Sequence, residues 1–237
     1  MKLVILNSGM GTRMGVLTKD HPKCMTDISK SDSILSAQLK NAVNFGITDV
    51  VITTGYFDKV LIDYCTSLNL PLNIEYVNNP LYDKTNYIYS IYCAKEILRN
   101  EDIILMHGDL VFEPDAFNLV INSDVSCMAV SSTVDLPLKD FKAVVKNNKI
   151  SAVGIDFFEN AFAAQPLYKL FKEDWQVWLD EICSFCESDN RSCYAENALN
   201  LVSDNMNLYP LDVKDMLCNE VDNYEDLQIV KEKYKGI

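Results

Sequence analysis

The chain has 237 residues, 49% of them hydrophobic and 23% charged, which is typical of a globular protein with a sizeable core and excludes a disordered or collagen-like chain. Its 34 acidic and 21 basic residues give a net charge of −13, which disfavours nucleic acid and anionic membrane surfaces as partners. No stretch approaches about 18 consecutive apolar residues, so we expect no membrane-spanning helix. The N-terminus lacks the features of a signal peptide, and we expect a cytoplasmic protein.

Strands and helices alternate through the first half of the sequence. Short apolar runs predict strands, and apolar residues at helical spacing predict helices, with turn residues between them. The strands are predicted at 2–6, 49–53, 72–77 and 102–106, and the helices at 33–46, 57–68 and 87–98. Strands that are apolar throughout and alternate with helices predict an α/β fold, in which a parallel sheet is covered by helices on both faces.

The second half has a different pattern. Short turns join strands predicted at 125–131, 143–146 and 150–155, with Asn147-Asn148 as the signal of a hairpin. The elements predicted after them are a long helix at 172–186, a helix at 195–202, a strand at 206–210 and a closing helix at 224–234. Because no repeat, linker or low-complexity tract divides the chain, one domain over residues 1–237 is favoured over two.

The eight cysteines are scattered, mostly among apolar neighbours. A chain of this size folds without disulfides, so we interpret them as reduced side chains that serve as small hydrophobic groups. Cys183 and Cys186 form the pattern C-x-x-C, which also occurs in zinc and redox sites. The pair lies among apolar residues at helical spacing and has no second ligand pair, so a place in a helix core is favoured over a zinc site.

Three of the eight glycines, Gly9, Gly11 and Gly15, follow the first predicted strand directly. Ligands of open α/β sheets bind at the carboxyl ends of the strands, where backbone N–H groups of a glycine-rich loop can face phosphate oxygens. A nucleotide is therefore the first hypothesis. The dinucleotide fingerprint fails at Met14 and the P-loop pattern is absent, so neither a dehydrogenase nor a P-loop NTPase fits.

The segment that contains and follows these glycines is basic, with Arg13, Lys19 and Lys23. In an acidic chain, three cations beside a glycine-rich loop would neutralise a polyphosphate locally. The alternative is a solvated loop whose charges serve solubility.

Residues 6–15 read LNSGMGTRMG, followed by LTK at 17–19 and PKCM at 22–25. This segment resembles the signature of the nucleotidyltransferases that make nucleoside-diphosphate-activated sugars, choline and related compounds. Further segments that resemble the same family are residues 46–49, residues 54–56, residues 78–92 with the core Thr85-Asn86-Tyr87, Gly108-Asp109 after a predicted strand, and residues 221–227. The resemblance covers nearly the whole chain and is therefore more specific than any single motif.

The resemblance implies a single-domain Rossmann-like nucleotidyltransferase fold, with a mostly parallel central sheet, helices on both faces and a small antiparallel β addition. Residues 1–123 would form the nucleotide-binding half, and residues 124–237 the acceptor-binding and closing half. The Thr85-Asn86-Tyr87 core and the compact length are similar to small bacterial cytidylyltransferases that act on phosphocholine, aminoethylphosphonate or phosphoglutamine. The implied reaction transfers CMP from CTP to a small phosphate- or phosphonate-bearing amino compound and releases pyrophosphate, in cell-surface polysaccharide or phosphonate biosynthesis.

The resemblance also implies roles for individual residues. The implied catalytic residues are Arg13, which grips the leaving β- and γ-phosphates, and Lys23, which contacts the α-phosphate and the acceptor. Asp109 and Asp222 would hold the cofactor Mg²⁺. The implied nucleotide-binding residues are Leu6, Asn7, Ser8, Gly9, Met10, Gly11, Thr12, Arg13, Lys23, Thr85, Asn86 and Asp109. The implied acceptor-binding residues are Lys23, Asn86, Tyr194 and Glu196.

Two departures from the family pattern concern the ligands. Asn7-Ser8 replaces the Ala-Ala that commonly precedes the first family glycine, which leaves the base contacts open at that position. Between Tyr194 and Glu196, Ala195 stands where the choline enzyme has Trp. Because a quaternary ammonium favours an aromatic cage, we expect an ordinary ammonium or amino-acid group paired with Glu196 instead.

Each assignment has an ordinary structural alternative. Asp109 could be a turn residue at a strand end, Asp222 a helix cap, and Lys23 a solvated side chain. Glu196 could lie on a solvated helix face. His107 is not needed as a general base, because a phosphate acceptor is already ionised at pH 7.

Three other functions share part of these features. A sugar-1-phosphate nucleotidyltransferase would share every residue named above, and only the acceptor pocket would separate it. A non-catalytic nucleotide-binding module would lack working metal aspartates. A glycosyltransferase would carry a D-x-D pair, whereas residues 107–109 read HGD.

Three points stay open at the level of the sequence. The choice of CTP rests on the resemblance alone, and the oligomeric state is open, with a homodimer as one alternative. The acceptor pocket is expected to be built by residues 124–193. Its candidates, which the pattern leaves undecided between the pocket and the core, are Lys142, Gln165, Tyr168, Trp175 and Trp178.

Overall fold

The structure, a computed structural model, describes residues 1–236. Its strands are β1 (Lys2–Leu6), β2 (Asp49–Thr54), β3 (Asn73–Asn78), β4 (Ile103–His107), β5 (Leu110–Phe112), β6 (Cys127–Ser131), β7 (Lys142–Lys146), β8 (Lys149–Gly154), β9 (Ala161–Leu170), β10 (Tyr209–Asp212) and β11 (Cys218–Glu220). Its α-helices are α1 (Ile34–Asn44), α2 (Asp58–Ser67), α3 (Tyr87–Cys93), α4 (Lys95–Leu98), α5 (Pro114–Ile121), α6 (Lys172–Glu187), α7 (Ala195–Val202) and α8 (Tyr224–Lys233).

The central sheet has the strand order β10-β6-β9-β4-β1-β2-β3. The pairs β1–β2, β1–β4, β2–β3 and β10–β6 are parallel, whereas β9 runs antiparallel between β4 and β6. The β7–β8 hairpin extends from β9, and β5 forms a separate two-stranded antiparallel sheet with β11. The expected α/β fold, with a mostly parallel sheet and a small antiparallel addition, is confirmed.

Helices cover both faces of this sheet, as the apolar strands predict. One face packs against α3, α6 and α7, through buried residues that include Ile88, Ile91, Trp175, Trp178 and Leu199. The opposite face packs against α1, α2 and α5, through buried residues that include Leu35, Leu39, Leu61 and Phe117. Because both faces of the strands are covered, the sheet leaves mainly its strand ends available for a ligand.

Local sequence signals set several element boundaries. Helix α1 begins after Ser33, whose hydroxyl accepts a hydrogen bond from the Ser36 amide at 3.1 Å while the Ser36 hydroxyl accepts one from the Ser33 amide at 2.8 Å. This reciprocal pair is a capping box. The Asn147-Asn148 turn has φ angles of 52° and 62°, so the predicted hairpin is confirmed.

The structure also corrects the predicted elements. The helix predicted at 87–98 is interrupted at Ala94 and forms α3 and α4, and the strand predicted at 206–210 lies at Tyr209–Asp212. Strands β5, β9 and β11 and helix α5 were not predicted. Strands β5 and β11 have only three residues each. Strand β9 is almost entirely enclosed and so lacks the alternation of a half-buried strand, while Gln165, Pro166 and Lys169 interrupt the continuous apolar run typical of a buried one.

Six of the eight cysteines are buried, as small hydrophobic side chains are. Cys183 and Cys186 lie on α6 within the core that covers one face of the sheet. Across residues 1–236, no helix is both long enough and apolar enough to cross a membrane.

Candidate active site

A cavity of about 420 Å³ lies at the carboxyl ends of β1 and β4. Every residue predicted to bind the nucleotide lines it, and so do the two predicted metal aspartates and Tyr194. Glu196 is the one predicted site residue that does not line the cavity. The carboxyl ends of parallel strands thus meet the glycine-rich loop where a ligand of an open α/β sheet would bind.

Two glycines allow the backbone to approach closely at this edge. Gly11 has φ +62°, and a Cβ there would lie 3.1 Å from the Cβ of Lys23, so the loop folds directly over that lysine. At the end of β4, a Cβ on Gly108 would lie 1.7 Å from Oδ1 of Asn7. Only glycine fits either position without rearrangement, which explains why scarce glycines are used here.

The predicted charged residues meet in one cluster. Lys23 Nζ pairs with Asp109 Oδ2 and lies 2.8 Å from Asp222 Oδ1, and Arg13 Nη1 lies 2.8 Å from Asp222 Oδ2. Lys23 and Asp222 are 199 positions apart in the sequence. We call Arg13, Lys23, Asp109 and Asp222 the ionic cluster.

Burial and charge have opposing effects on these groups. Burial lowers the pKa of Lys23, but the two carboxylates outweigh it and raise the pKa above its ordinary value. Burial raises the pKa of Asp109, but the charges of Lys23 and His107 outweigh it and lower the pKa. Lys23 is therefore a cation and Asp109 an anion at neutral pH.

The donor set of the ionic cluster fits a magnesium ion. Oδ1 of Asp109 is buried and has no hydrogen-bond partner within residues 1–236, and both oxygens of Asp222 face cations. Mg²⁺ is typically bound through one or two carboxylates together with substrate phosphates. Asp109 and Asp222 are thus suited to hold this ion beside a bound polyphosphate.

A histidine–glutamate pair lies next to the ionic cluster, and its glutamate is not indicated by any sequence pattern. His107 Nδ1 lies 2.9 Å from Glu220 Oε1, and ligand atoms of His107, Asp109 and Glu220 lie within 4.8 Å of one another. Burial lowers the pKa of His107, but Glu220 outweighs it and raises the pKa to about 9. Burial and the charge of Asp109 in turn raise the pKa of Glu220, so the two groups of this buried pair titrate together. Glu220 is the last residue of β11 and precedes Asp222 by two positions. This strand is too short to be predicted from the sequence.

Glu196 requires a correction. Its residue is only 2% exposed, and its carboxylate accepts hydrogen bonds from Tyr168 Oη at 2.8 Å and from Tyr87 Oη. Tyr87 in turn lines the cavity, with its ring centroid 4.6 Å from that of His107 and 5.9 Å from that of Tyr194. The direct acceptor contact expected of Glu196 is thus replaced by a place behind the cavity wall, because two tyrosine hydroxyls already occupy its oxygens.

The undecided candidates of the second half lie outside the cavity lining. Lys142 is fully buried and donates to the carbonyl oxygens of Pro137 and Asp140. Trp175 and Trp178 are in the core, where their indole N–H groups donate to backbone carbonyls. The residues of the second half that do line the cavity are Lys139, Asp140, Phe141, Ile155, Tyr194, Glu220 and Asp222.

The fold and the ionic cluster define a nucleotide-handling α/β protein, and comparison with known sequences gives its family. The chain belongs to the nucleotidyl transferase family, whose sequence profile matches residues 2–135. It is therefore a nucleotidyltransferase, as the sequence analysis predicted.

Individual relatives lie within this family at modest identity. The CTP:phosphoglutamine cytidylyltransferase of Campylobacter jejuni is 28% identical over 212 residues, which are 83% of this chain and 82% of that protein. A UTP–glucose-1-phosphate uridylyltransferase of Haloferax volcanii is 26% identical over 120 residues, 51% of this chain and 48% of that protein. The solved CTP:phosphocholine cytidylyltransferase of Streptococcus pneumoniae superposes with a TM-score of 0.78 at 20% identity, covering 98% of this chain and 97% of that one, which shows the shared fold.

Proposed function

We propose that the protein is a Mg²⁺-dependent cytidylyltransferase that transfers CMP from CTP to a small phosphate- or phosphonate-bearing amino compound and releases pyrophosphate. The observation that carries this proposal is the ionic cluster, in which Lys23 and Arg13 meet Asp109 and Asp222 beside the glycine-rich loop. The similarity to the phosphoglutamine enzyme supports the choice of CTP and of an amino-bearing acceptor. Products of this class would serve cell-surface polysaccharide or phosphonate biosynthesis.

The proposed chemistry is an in-line displacement at phosphorus. An oxygen of the acceptor phosphate or phosphonate attacks the α-phosphorus of CTP, and the bond to the β-phosphate oxygen breaks as pyrophosphate leaves. The acceptor is ionised at neutral pH and needs no general base. Catalysis then depends on positioning and charge neutralisation.

Arg13 and Lys23 differ in exposure, and this difference suits them to neutralise different phosphates of the nucleotide. The Arg13 side chain is 73% exposed and can reach out to the leaving β- and γ-phosphates. The Lys23 side chain is 14% exposed and lies deeper, where it would contact the α-phosphate and the acceptor oxygen. Asp109 and Asp222 would hold Mg²⁺, which would supply further neutralisation of phosphate charge when bound.

The acceptor end of the cavity combines aromatic and charged groups. The Tyr194 ring packs near those of Tyr87 and Phe141, with ring-centroid distances of 5.9 Å and 5.0 Å. Lys139 and Asp140 line the same cavity. An ammonium group can bind against aromatic faces and beside a carboxylate, so this wall is suited to an amino-bearing acceptor.

The test is pyrophosphate release with Mg²⁺ from CTP, UTP, dTTP, GTP and ATP, each with phosphocholine, aminoethylphosphonate, phosphoglutamine and common sugar-1-phosphates. We expect release with CTP and one amino-bearing acceptor. Pyrophosphate release with a sugar-1-phosphate alone would overturn the proposed amino-bearing acceptor. The proposed role of the ionic cluster would stand. If no combination in the panel releases pyrophosphate, a non-catalytic nucleotide-binding protein would be favoured.

The Mg²⁺ dependence and the oligomeric state can each be measured directly. Omission of Mg²⁺ from the same assay should abolish release, and its restoration should recover it. Sedimentation velocity of the full chain would distinguish a monomer from the homodimer that the sequence analysis left open.

A further inference from the structure

The turn that carries Asp109 is held by a glutamine that lies outside the cavity lining. Gly108 and Asp109 form this turn between β4 and β5. Gln38 of α1 donates from Nε2 to the carbonyl oxygen of His107 at 3.0 Å and to that of Leu110 at 2.8 Å. One amide group therefore bridges the two residues that flank the turn. The partners are 69 and 72 positions from Gln38, so no local pattern indicates the contact.

The orientation of the Gln38 amide follows from its partners. Both are carbonyl oxygens, which only accept hydrogen bonds, so the Nε2 hydrogens must face them. Gln38 is 1% exposed, so water does not compete for either bond. Its Oε1 is buried and has no hydrogen-bond partner within residues 1–236. Because an unpaired buried acceptor is destabilising, the contribution of glutamine at this position is its pair of donated bonds.

Other elements fix the remaining peptide groups of the turn. The Gly108 amide donates to the Leu6 carbonyl at 3.0 Å, and the Val221 amide donates to the Asp109 carbonyl at 3.0 Å. The backbone around Asp109 is thus restrained by β1, by the segment before α8 and by α1. Among these three restraints, only that of Gln38 comes from a side chain, so it is the one that a substitution can remove.

We propose that Gln38 is a positioning residue that sets the Asp109 carboxylate for Mg²⁺ binding. Mg²⁺ demands nearly ideal octahedral geometry, so a displaced carboxylate binds it more weakly. Groups that orient a metal ligand without touching the metal commonly change metal affinity about 10- to 100-fold when they are substituted. The inference rests on the proposed function because it takes Asp109 as a ligand of Mg²⁺.

The Mg²⁺ dependence of pyrophosphate release tests this inference. Gln38→Met keeps the length of the side chain and removes both donors. We expect it to raise the Mg²⁺ concentration for half-maximal rate about tenfold. Saturating Mg²⁺ should restore kcat and leave KM for the nucleotide unchanged, because the carboxylate is displaced and not lost. Gln38→Asn keeps an amide that is one methylene shorter, and it should shift the same Mg²⁺ concentration by a smaller factor.

Asn41→Leu is the matched control. Asn41 is also a buried amide on α1 whose oxygen has no hydrogen-bond partner among the described residues. Its Nδ2 donates to the Ala37 carbonyl within the same helix and not to the Asp109 turn. Loss of this amide should affect α1 alone, so the Mg²⁺ dependence should stay as it is in the wild type.

Amide hydrogen exchange of the metal-free protein gives a readout that needs no activity. Gln38→Met should speed the exchange of the Gly108 and Val221 amides about tenfold, the usual effect of one lost hydrogen bond on a local opening equilibrium. Asn41→Leu should leave both exchange rates unchanged. Thermal unfolding reports whether each variant is folded, and Gln38→Asn takes the place of Gln38→Met if the latter does not fold.

The outcomes separate this inference from the proposed function. A folded Gln38→Met protein with the Mg²⁺ dependence of the wild type, or with unchanged exchange of the two amides, would overturn this inference alone. Equal shifts in Asn41→Leu would also overturn it, since they would show a general effect of α1. Pyrophosphate release that is independent of Mg²⁺ in the wild type would overturn the proposed metal role together with this inference.

Discussion

The two ends of the cavity use buried or half-buried carboxylates in opposite ways. In the ionic cluster, Asp109 and Asp222 are paired with cations and remain accessible from the cavity. At the proposed acceptor end, Glu196 is paired with two tyrosine hydroxyls and is closed off from the cavity. The first arrangement can exchange a protein cation for a substrate or metal charge, whereas the second holds a wall in place. The partner of a carboxylate, and not its place in a motif, therefore decides its role.

This difference has an energetic reason. A carboxylate moved out of water needs compensation by charge or by hydrogen bonds. Lys23 and Arg13 supply charge to the ionic cluster and can also bind phosphate, so their pairing with Asp222 is reversible. Tyr87 and Tyr168 supply hydrogen bonds to Glu196, and burial raises the pKa of both phenols well above the ordinary value, so they remain donors.

Removal of a carboxylate that we propose to hold Mg²⁺ should have the largest effect. We expect Asp109→Ala to lower kcat at least about a thousandfold, the upper range for one lost electrostatic contribution, with little loss of folding because Lys23 keeps Asp222 as a partner. Steady-state pyrophosphate release and thermal unfolding measure the two quantities. Asp63→Asn, an exposed carboxylate on α2, is the control. Retained activity in Asp109→Ala would remove the metal assignment.

Loss of a cluster cation should have the next largest effect. Lys23→Ala and Arg13→Ala should each lower kcat about a hundredfold if these groups stabilise transition-state charge. Lys23→Ala should also lower the Mg²⁺ concentration needed for half-maximal rate, because the ammonium no longer competes for Asp109 and Asp222. A magnesium titration of the rate tests this, with the exposed Lys172→Ala as the control. Unchanged kinetics would favour the alternative, in which both cations belong to a solvated loop and have no catalytic role.

The acceptor end should show a smaller and more selective effect. We expect Glu196→Gln to raise KM for the acceptor about tenfold, since the bond that holds Tyr87 at the cavity wall is weakened. KM for the nucleotide should not change. Steady-state kinetics with each substrate varied in turn distinguish this positioning role from a purely structural one, which would lower the melting temperature without separating the two KM values.

Asp32 does not line the cavity, so its substitution should have the smallest effect on activity and serves as a reference for the other two carboxylate sites. Burial raises the pKa of Asp32, but hydrogen bonds from Lys40 and Ser31 outweigh it and lower the pKa. The stabilisation is therefore complete above the unfolded-state pKa of about 3.9 and is lost as pH falls through the lower folded-state pKa.

Asp32→Asn should accordingly reduce the stability difference between pH 7 and acidic pH, with little effect on kcat at pH 7. Thermal unfolding across this pH range is the measurement. Asp27→Asn, an exposed carboxylate in the same turn, should leave the pH dependence as it is in the wild type. An identical pH dependence in all three proteins would show that the Asp32 bonds add nothing to stability.

The tertiary structure decided the partners of the charged residues. Glu196 has the local sequence of an exposed position at the start of a helix, yet its neighbours from α3 and β9 enclose it. Glu220 meets His107 only because β11 pairs with β5, which follows β4 directly. Strand β9 lies between β4 and β6 with both faces covered, although Gln165, Pro166 and Lys169 interrupt its apolar run, so only its neighbours in the sheet identify it as a central strand.

The sequence by itself determined the alternation of strands and helices, the glycine-rich loop after β1 and the aspartate after β4. These features depend on side-chain period, backbone freedom and neighbours within a few positions, all of which are local properties of a chain. Only the tertiary structure decided that Lys23 lies between Asp109 and Asp222, and that Glu196 stands behind Tyr87. Burial and ion pairing depend on distant residues, such as Lys23 and Asp222, which are 199 positions apart, and no local pattern records which of them will meet.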